Sequence, residues 1–69
     1  MTIQINGEAT DISGSMTVTQ LLADQNVKMP DMVTVELNGE ILDRSRFQDT
    51  MVKDGDKVEF LYFMGGGAR

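Results

Sequence analysis

The chain contains no cysteine, no histidine and no tryptophan, and only one proline, among its 69 residues. Without cysteine it can form no disulfide, thiolate nucleophile or cysteine-ligated zinc site, and without histidine it has no imidazole acid, base or metal ligand. A nucleophile–base pair would have to come from lysine or carboxylates. We therefore expect no catalytic residue, no metal and no bound cofactor.

The chain also lacks an excess of basic residues and a long apolar run. Six Lys and Arg residues stand against eleven Asp and Glu residues, giving a formal net charge of -5. Such a surface repels nucleic acid and anionic membranes, and it favours a protein partner with a basic face. No segment is apolar for long enough to span a bilayer, and no signal-peptide pattern opens the sequence. We expect a cytoplasmic protein that binds neither nucleic acid nor membranes.

Several segments alternate polar and apolar residues, which is typical of half-buried strands. Residues 2–6 run into Asn6-Gly7, a dipeptide that favours a tight hairpin turn, and residues 8–12 form the predicted return strand. Further strands are predicted at residues 33–37, 40–42 and 57–63, with Asn38-Gly39 as a second turn and 40–42 as a short edge strand. Residues 43–50 are predicted to be irregular, with Phe47 as an apolar anchor. The carboxylates of Asp54-Gly55-Asp56 could suggest calcium, but a calcium loop needs more oxygen ligands, so we interpret this segment as a turn.

One helix is predicted between the hairpin and the third strand. Thr17 and Gln20 have the spacing of a capping box, in which each side chain binds a free backbone N–H of the first turn. Asn26 is a plausible C-terminal stop, and Pro30 prevents the helix from resuming. The expected helix of about ten residues is too short to persist alone in water, so it should lie on a sheet.

The order of these elements favours an α+β domain of the β-grasp (ubiquitin-like) type. It would have a mixed sheet of four to five strands, with one main helix packed on one face and the first and last strands side by side. The predicted core consists of Ile3, Ile5, Ile12, Val18, Leu21, Leu22, Val33, Val35, Leu37, Val58 and Phe60.

The C-terminal segment is the most informative part of the sequence. Gly65, Gly66 and Gly67 are consecutive, and Ala68-Arg69 follows them. Glycine has no Cβ, so a glycine run can pass through a channel too narrow for other residues. We expect residues 1–64 to form the domain and residues 65–69 to form a flexible tail with a two-residue extension.

A second candidate site lies on the last predicted strand. If Val58 and Phe60 face the helix, then Leu61 and Phe63 point to the opposite, mostly polar face of the sheet. Exposed apolar patches often mark interaction sites. The pattern predicts a docking surface for a partner at Leu61 and Phe63, next to the tail.

Taken together, several segments resemble the ThiS-type sulfur carriers of thiamine biosynthesis. They are 5–8, 17–22, 35–41 with Arg44 beyond, 54–59 and the final glycine run. The resemblance extends from Met1 to Gly67 and depends on the order and spacing of these segments. It implies a ubiquitin-like β-grasp fold and a carrier that is not itself an enzyme.

The resemblance implies that partner enzymes perform the chemistry. A ThiF-type, E1-like adenylyltransferase uses ATP to adenylate the C-terminal glycine carboxylate. Sulfur from a cysteine desulfurase relay then converts the adenylate to a thiocarboxylate. A ThiG-type thiazole synthase takes that sulfur for thiazole formation.

The sequence departs from the family pattern at its C-terminus, where Ala68-Arg69 follows the glycine run. We expect Gly67, or alternatively Gly66, to carry the sulfur in a form that lacks the residues beyond it, either because a processing peptidase removes them or because they do not belong to the functional form. Two alternatives stay open. One is a MoaD-like carrier for molybdopterin or another pathway, and the other is a plain β-grasp protein-interaction module.

Overall fold

The first and last strands of the chain pair with each other in parallel. In the computed structural model, which describes residues 1–62, Gln4 aligns with Lys57 and Ile5 with Val58. Because parallel neighbours need a crossover connection, the intervening chain must pass over one face of the sheet. The helix lies within that crossover. The elements are β1 Thr2–Ile5, β2 Glu8–Asp11, β3 Met16–Thr17, α1 Val18–Asp24, β4 Thr34–Leu37, β5 Glu40–Leu42, β6 Met51–Val52 and β7 Lys57–Leu61.

A mixed five-stranded sheet extends on both sides of the parallel pair. Its strand order is β2-β1-β7-β4-β5, and the pairs β1–β2, β4–β5 and β4–β7 are antiparallel. The β-grasp arrangement, with one helix and the first and last strands adjacent, is therefore confirmed. The sequence did not predict the separate two-stranded sheet formed by β3 and β6.

The core fills the space between the helix and one face of this sheet. Most of the predicted core residues are buried, while Ile5, Leu37 and Phe60 are only partly buried and pack against the others. Val52, on β6, is a buried residue that the sequence analysis missed. The buried apolar residues are Ile3, Ile12, Val18, Leu21, Leu22, Val33, Val35, Phe47, Val52 and Val58.

The helix is shorter than predicted, with seven residues. The chain leaves the helix at Asn26, which adopts a left-handed conformation with φ of 55°. The Asn26 N–H donates to the Ala23 carbonyl and the Val27 N–H to the Leu22 carbonyl. This pair of bonds is a Schellman motif, which satisfies carbonyls of the last turn. Asn26 is therefore confirmed as the stop signal.

The predicted capping box is present at the helix N-terminus. The Gln20 N–H donates to Thr17 Oγ1 at 3.1 Å, and the Thr17 N–H donates to Gln20 Oε1 at 2.9 Å. Two backbone donors that the helix itself cannot satisfy thus gain partners. The same segment bridges β3 and α1, so the cap fixes the point where the chain turns from the small sheet onto the core.

Replacing Thr17 with Ala should lower the free energy of unfolding by about 0.5–2 kcal/mol, because the N-cap acceptor is lost. Thr19→Ala is the matched control, since it makes the same chemical change at an exposed position in the helix. Chemical denaturation of both variants measures the difference. Equal stabilities would show that the cap contributes nothing.

Candidate functional site at the end of the central strand

The central strand of the sheet leads directly toward the predicted tail. β7 lies between β1 and β4, and Tyr62 is the one described residue after it. The predicted docking residue Phe63 and the tail residues 65–69 lie outside the described residues. The site can therefore be built from the surroundings of Leu61 and Tyr62.

Two asparagine side chains hold β7 from opposite sides. Asn6 Oδ1 accepts the Phe60 N–H at 2.9 Å, and Asn38 Oδ1 accepts the Lys57 N–H at 2.9 Å. Both asparagines have positive φ, 50° and 53°, within the predicted Asn-Gly turns. The sequence predicts these turns but not the bonds to β7, because those bonds link residues 54 and 19 positions apart.

The end of β7 also contacts the loop that follows the helix. The Tyr62 hydroxyl donates a hydrogen bond to the carbonyl of Lys28. The loop itself is bound by Arg44, whose guanidinium donates to the carbonyls of Pro30 at 2.8 Å and Val33 at 2.7 Å. These contacts hold Tyr62, the residue after the last strand, against the loop of residues 28–33.

Arg44 connects that loop to the core. It lies in a short 3-10 helix, Arg44–Arg46, within a segment that the sequence predicted to be irregular. Its guanidinium carbon is 5.2 Å from the ring centroid of Phe47, a distance at which a cation–π contact is favourable. Phe47 is buried, as the sequence indicated. Arg44 thus has structural partners within its own chain.

The face of the sheet opposite the helix carries apolar side chains among polar ones. Leu61 lies on this face beside Thr34, and the next row places Glu59, Glu36 and Ile41 side by side. Leu61 is half-buried, whereas Ile41 is 67% exposed. Ile41 was predicted as part of an edge strand, and its place on the same face as Leu61 was missed. The docking role of Leu61 stays a prediction.

The carboxylates of the acidic turn before β7 accept hydrogen bonds from backbone N–H groups. Asp54 Oδ1 accepts the Thr2 N–H and Asp56 Oδ2 accepts the Lys53 N–H, both at 2.8 Å. Gly55 between them has a φ of 87°, so the predicted turn is confirmed. Over residues 1–62, no group of three or more His, Cys, Asp or Glu residues could hold a metal ion. Within the same range, no helix has the length and apolar character needed to cross a membrane.

Comparison with known proteins identifies the family. A sequence model of the ThiS family matches residues 3–67. The chain belongs to the ThiS family. The crystal structure of the thiamine biosynthesis protein ThiS from Geobacter metallireducens has 54% sequence identity and a TM-score of 0.91, covering 97% of this chain and 100% of that one. ThiS membership supports the sulfur-carrier role that the sequence resemblance implies.

Two other relatives differ greatly in length. A thiazole synthase of Paramagnetospirillum magneticum is 44% identical over 68 residues, which are 99% of this ThiS-family chain and 21% of the relative. The chain thus spans about a fifth of that relative's length. The uncharacterized protein ycf40 of Porphyra purpurea is 33% identical over 67 residues, covering 97% of this chain and 93% of the relative.

The Asn6 contact to β7 yields a direct test. Asn6→Gly keeps the positive φ but removes the acceptor for the Phe60 N–H, so it should lower the free energy of unfolding by about 0.5–1.5 kcal/mol. Asn6→Asp retains a side-chain acceptor and should lose less. Chemical denaturation measures both. If the aspartate variant were as unstable as the glycine variant, the bond to Phe60 would not account for the loss.

Proposed function

We propose that this chain is a sulfur carrier whose C-terminal glycine is adenylated, converted to a thiocarboxylate and used as the sulfur donor for thiazole formation in thiamine biosynthesis. The observation that carries the proposal is the range of the family match. It extends through residue 67, so it includes the whole glycine run and stops before Ala68-Arg69.

The proposed chemistry explains why a carrier needs so few reactive groups. A glycine carboxylate oxygen attacks the α-phosphorus of ATP, and pyrophosphate leaves. A persulfide of the cysteine desulfurase relay then attacks the acyl carbon, and AMP leaves with one carboxyl oxygen. A thiol cleaves the S–S bond of the resulting acyl disulfide, which leaves the thiocarboxylate on the carrier and forms a disulfide. An E1-like, ThiF-type enzyme provides the catalytic groups, and ATP binds to that enzyme. The carrier contributes a recognisable domain and a carboxylate, which agrees with its lack of Cys and His.

Activation requires a free glycine carboxylate. Gly67 is followed by Ala68-Arg69, so its carboxyl group is in a peptide bond. We therefore infer that a peptidase removes these two residues and leaves Gly67 as the site of sulfur attachment. Gly66 is the alternative if one more residue is removed.

The proposed final partner is a thiazole synthase of the ThiG type. The relative from Paramagnetospirillum magneticum supports this choice, because a region similar to almost the entire chain is part of a longer protein with that name. A covalent link between two proteins keeps them at high effective concentration. Such an arrangement suits a carrier that delivers its sulfur to that enzyme.

The proposed docking surface for the adenylating enzyme consists of Leu61 and Phe63. Leu61 lies on the sheet face away from the helix, beside Thr34, and the exposed Ile41 lies on the same face. Burying such apolar side chains would favour association. Because Leu61 is two residues before Phe63 and four before Gly65, docking here would bring the tail to the active site of the partner.

One observation favours a second candidate function. The Gly67 carboxyl group is in a peptide bond with Ala68, and a β-grasp module that only binds other proteins would not need it free. The behaviour of the tail in the presence of the adenylating enzyme separates these functions.

Replacing Leu61 and Phe63 together with Ser should weaken binding to the E1-like partner at least tenfold, because the loss of two apolar contacts removes more than about 1.4 kcal/mol. Isothermal titration calorimetry measures the affinity, and circular dichroism checks the fold. Met51→Ser is the control, since Met51 is an exposed apolar residue on the small sheet. Unchanged affinity in a folded double variant would rule out this docking surface.

A chain that ends at Gly67 should be adenylated directly, whereas the full chain should not. Two extra residues move the terminal carboxylate by up to about 7 Å, and even about 1 Å of misplacement can cost on the order of 10²-fold in rate. ATP–pyrophosphate exchange with the E1-like enzyme measures activation. Gly66→Ala in the shortened chain adds a Cβ and should slow activation while leaving the fold intact.

Equal rates of ATP–pyrophosphate exchange with the Gly67-ended and Arg69-ended chains would show that activation does not require removal of Ala68-Arg69. If neither chain supports exchange with an enzyme that is active on its own carrier, the interaction-module function is favoured.

A further inference from the structure

The hydrogen bond made by Tyr62 is not one that burial requires. Tyr62 is 40% exposed, so water could satisfy its hydroxyl. The hydroxyl instead donates to the carbonyl of Lys28, 34 residues away in the chain. This contact ties the residue immediately after β7 to the loop between the helix and β4.

The loop that accepts this bond is held in a specific shape. Met29 has a φ of 53°, although it is not glycine and directly precedes Pro30, where a left-handed backbone is also sterically disfavoured. The Met32 N–H donates to the Met29 carbonyl at 2.8 Å. A disfavoured conformation of this kind persists only where its surroundings impose it.

Arg44 helps to hold the loop in this conformation and attaches it to the core. Its two bonds, to the carbonyls of Pro30 and Val33, join the loop to the 3-10 helix, and its stacking on the buried Phe47 fixes the guanidinium. The loop is therefore attached to the core on one side and to Tyr62 on the other. An unbroken series of contacts leads from Phe47 to the last described residue before the tail.

We propose that Tyr62 is a positioning residue that fixes where the tail leaves the domain and thereby where the Gly67 carboxylate can reach. This inference rests on the proposed function. Residues 63–67 span at most about 18 Å in any conformation. A displacement of Tyr62 therefore shifts the whole region accessible to the carboxylate, and activation depends on placement within about an ångström.

The first experiment uses the free protein and requires no partner. Tyr62→Phe keeps the ring and removes the hydroxyl, so amide hydrogen exchange at Met32 should become about three- to tenfold faster, as expected for losing one hydrogen bond. Exchange at Gln25, whose N–H donates to the Leu21 carbonyl in the helix, should not change. Arg44→Lys, which cannot bind both carbonyls in the same way, should accelerate Met32 as well, while Arg46→Lys should not.

The second experiment measures adenylation of the Gly67-ended chain by ATP–pyrophosphate exchange. Tyr62→Phe should lower kcat about three- to tenfold. KM should stay within about twofold of that of the parent, because the proposed docking surface at Leu61 and Phe63 is unaltered. A substitution that merely loosened the fold would not separate kcat from KM in this way. Arg46→Lys should match the parent in both constants.

The outcomes distinguish this inference from the proposed function. Faster exchange at Met32 together with a reduced kcat supports the positioning role. Unchanged exchange, or faster exchange with kcat equal to that of the parent, overturns that role while leaving the carrier function intact. If the Gly67-ended parent is not activated at all, both the carrier function and the role of Tyr62 are overturned.

Discussion

Two backbone hydrogen bonds join opposite ends of the described chain. The Gln4 N–H donates to the Asp56 carbonyl and the Asn6 N–H to the Val58 carbonyl, each at 2.9 Å. This parallel pairing of β1 with β7 makes the last strand the centre of the sheet and forces the intervening chain to cross one face. The helix, the core beneath it and the position of the strand end all follow from that constraint.

The central strand is held firmly just before the segment to which we assign the reactive glycine. Asn6 and Asn38 bind its backbone from the two sides, and Tyr62 is bound to the loop of residues 28–33. In the proposed function, partner enzymes recognise this fixed surface and act on the segment that follows it in the sequence. In the proposed mechanism all catalytic groups belong to those enzymes, so the carrier contributes the reacting carboxylate, recognition and placement.

The features that could be predicted from sequence depend on short-range rules. The Thr17–Gln20 capping box and the Asn26 stop each involve residues a few positions apart, and the spacing alone specifies the bonds. Strand alternation was similarly sufficient for the sheet and for most of the core. The glycine run and the order of the turns were also sufficient for the resemblance to ThiS-type carriers, which the family match confirms.

The features that were missed depend on contacts between distant residues. The two-residue strands β3 and β6 are too short to show a period, so Val52 did not stand out as a core residue. The bond from Tyr62 to the Lys28 carbonyl could not be predicted, because its acceptor is a backbone group that every residue has. Ile41 could not be assigned to the face of Leu61 without the register of β4, β5 and β7.

The central claim is that Gly67 becomes a thiocarboxylate, and intact mass spectrometry tests it most directly. The Gly67-ended chain would be incubated with the E1-like enzyme, ATP and a sulfur source, and its mass compared with that of the untreated chain. Formation of the thiocarboxylate should raise the mass by about 16 Da, the difference between sulfur and oxygen. An unchanged mass, with an enzyme that thiolates its own carrier under the same conditions, would contradict it.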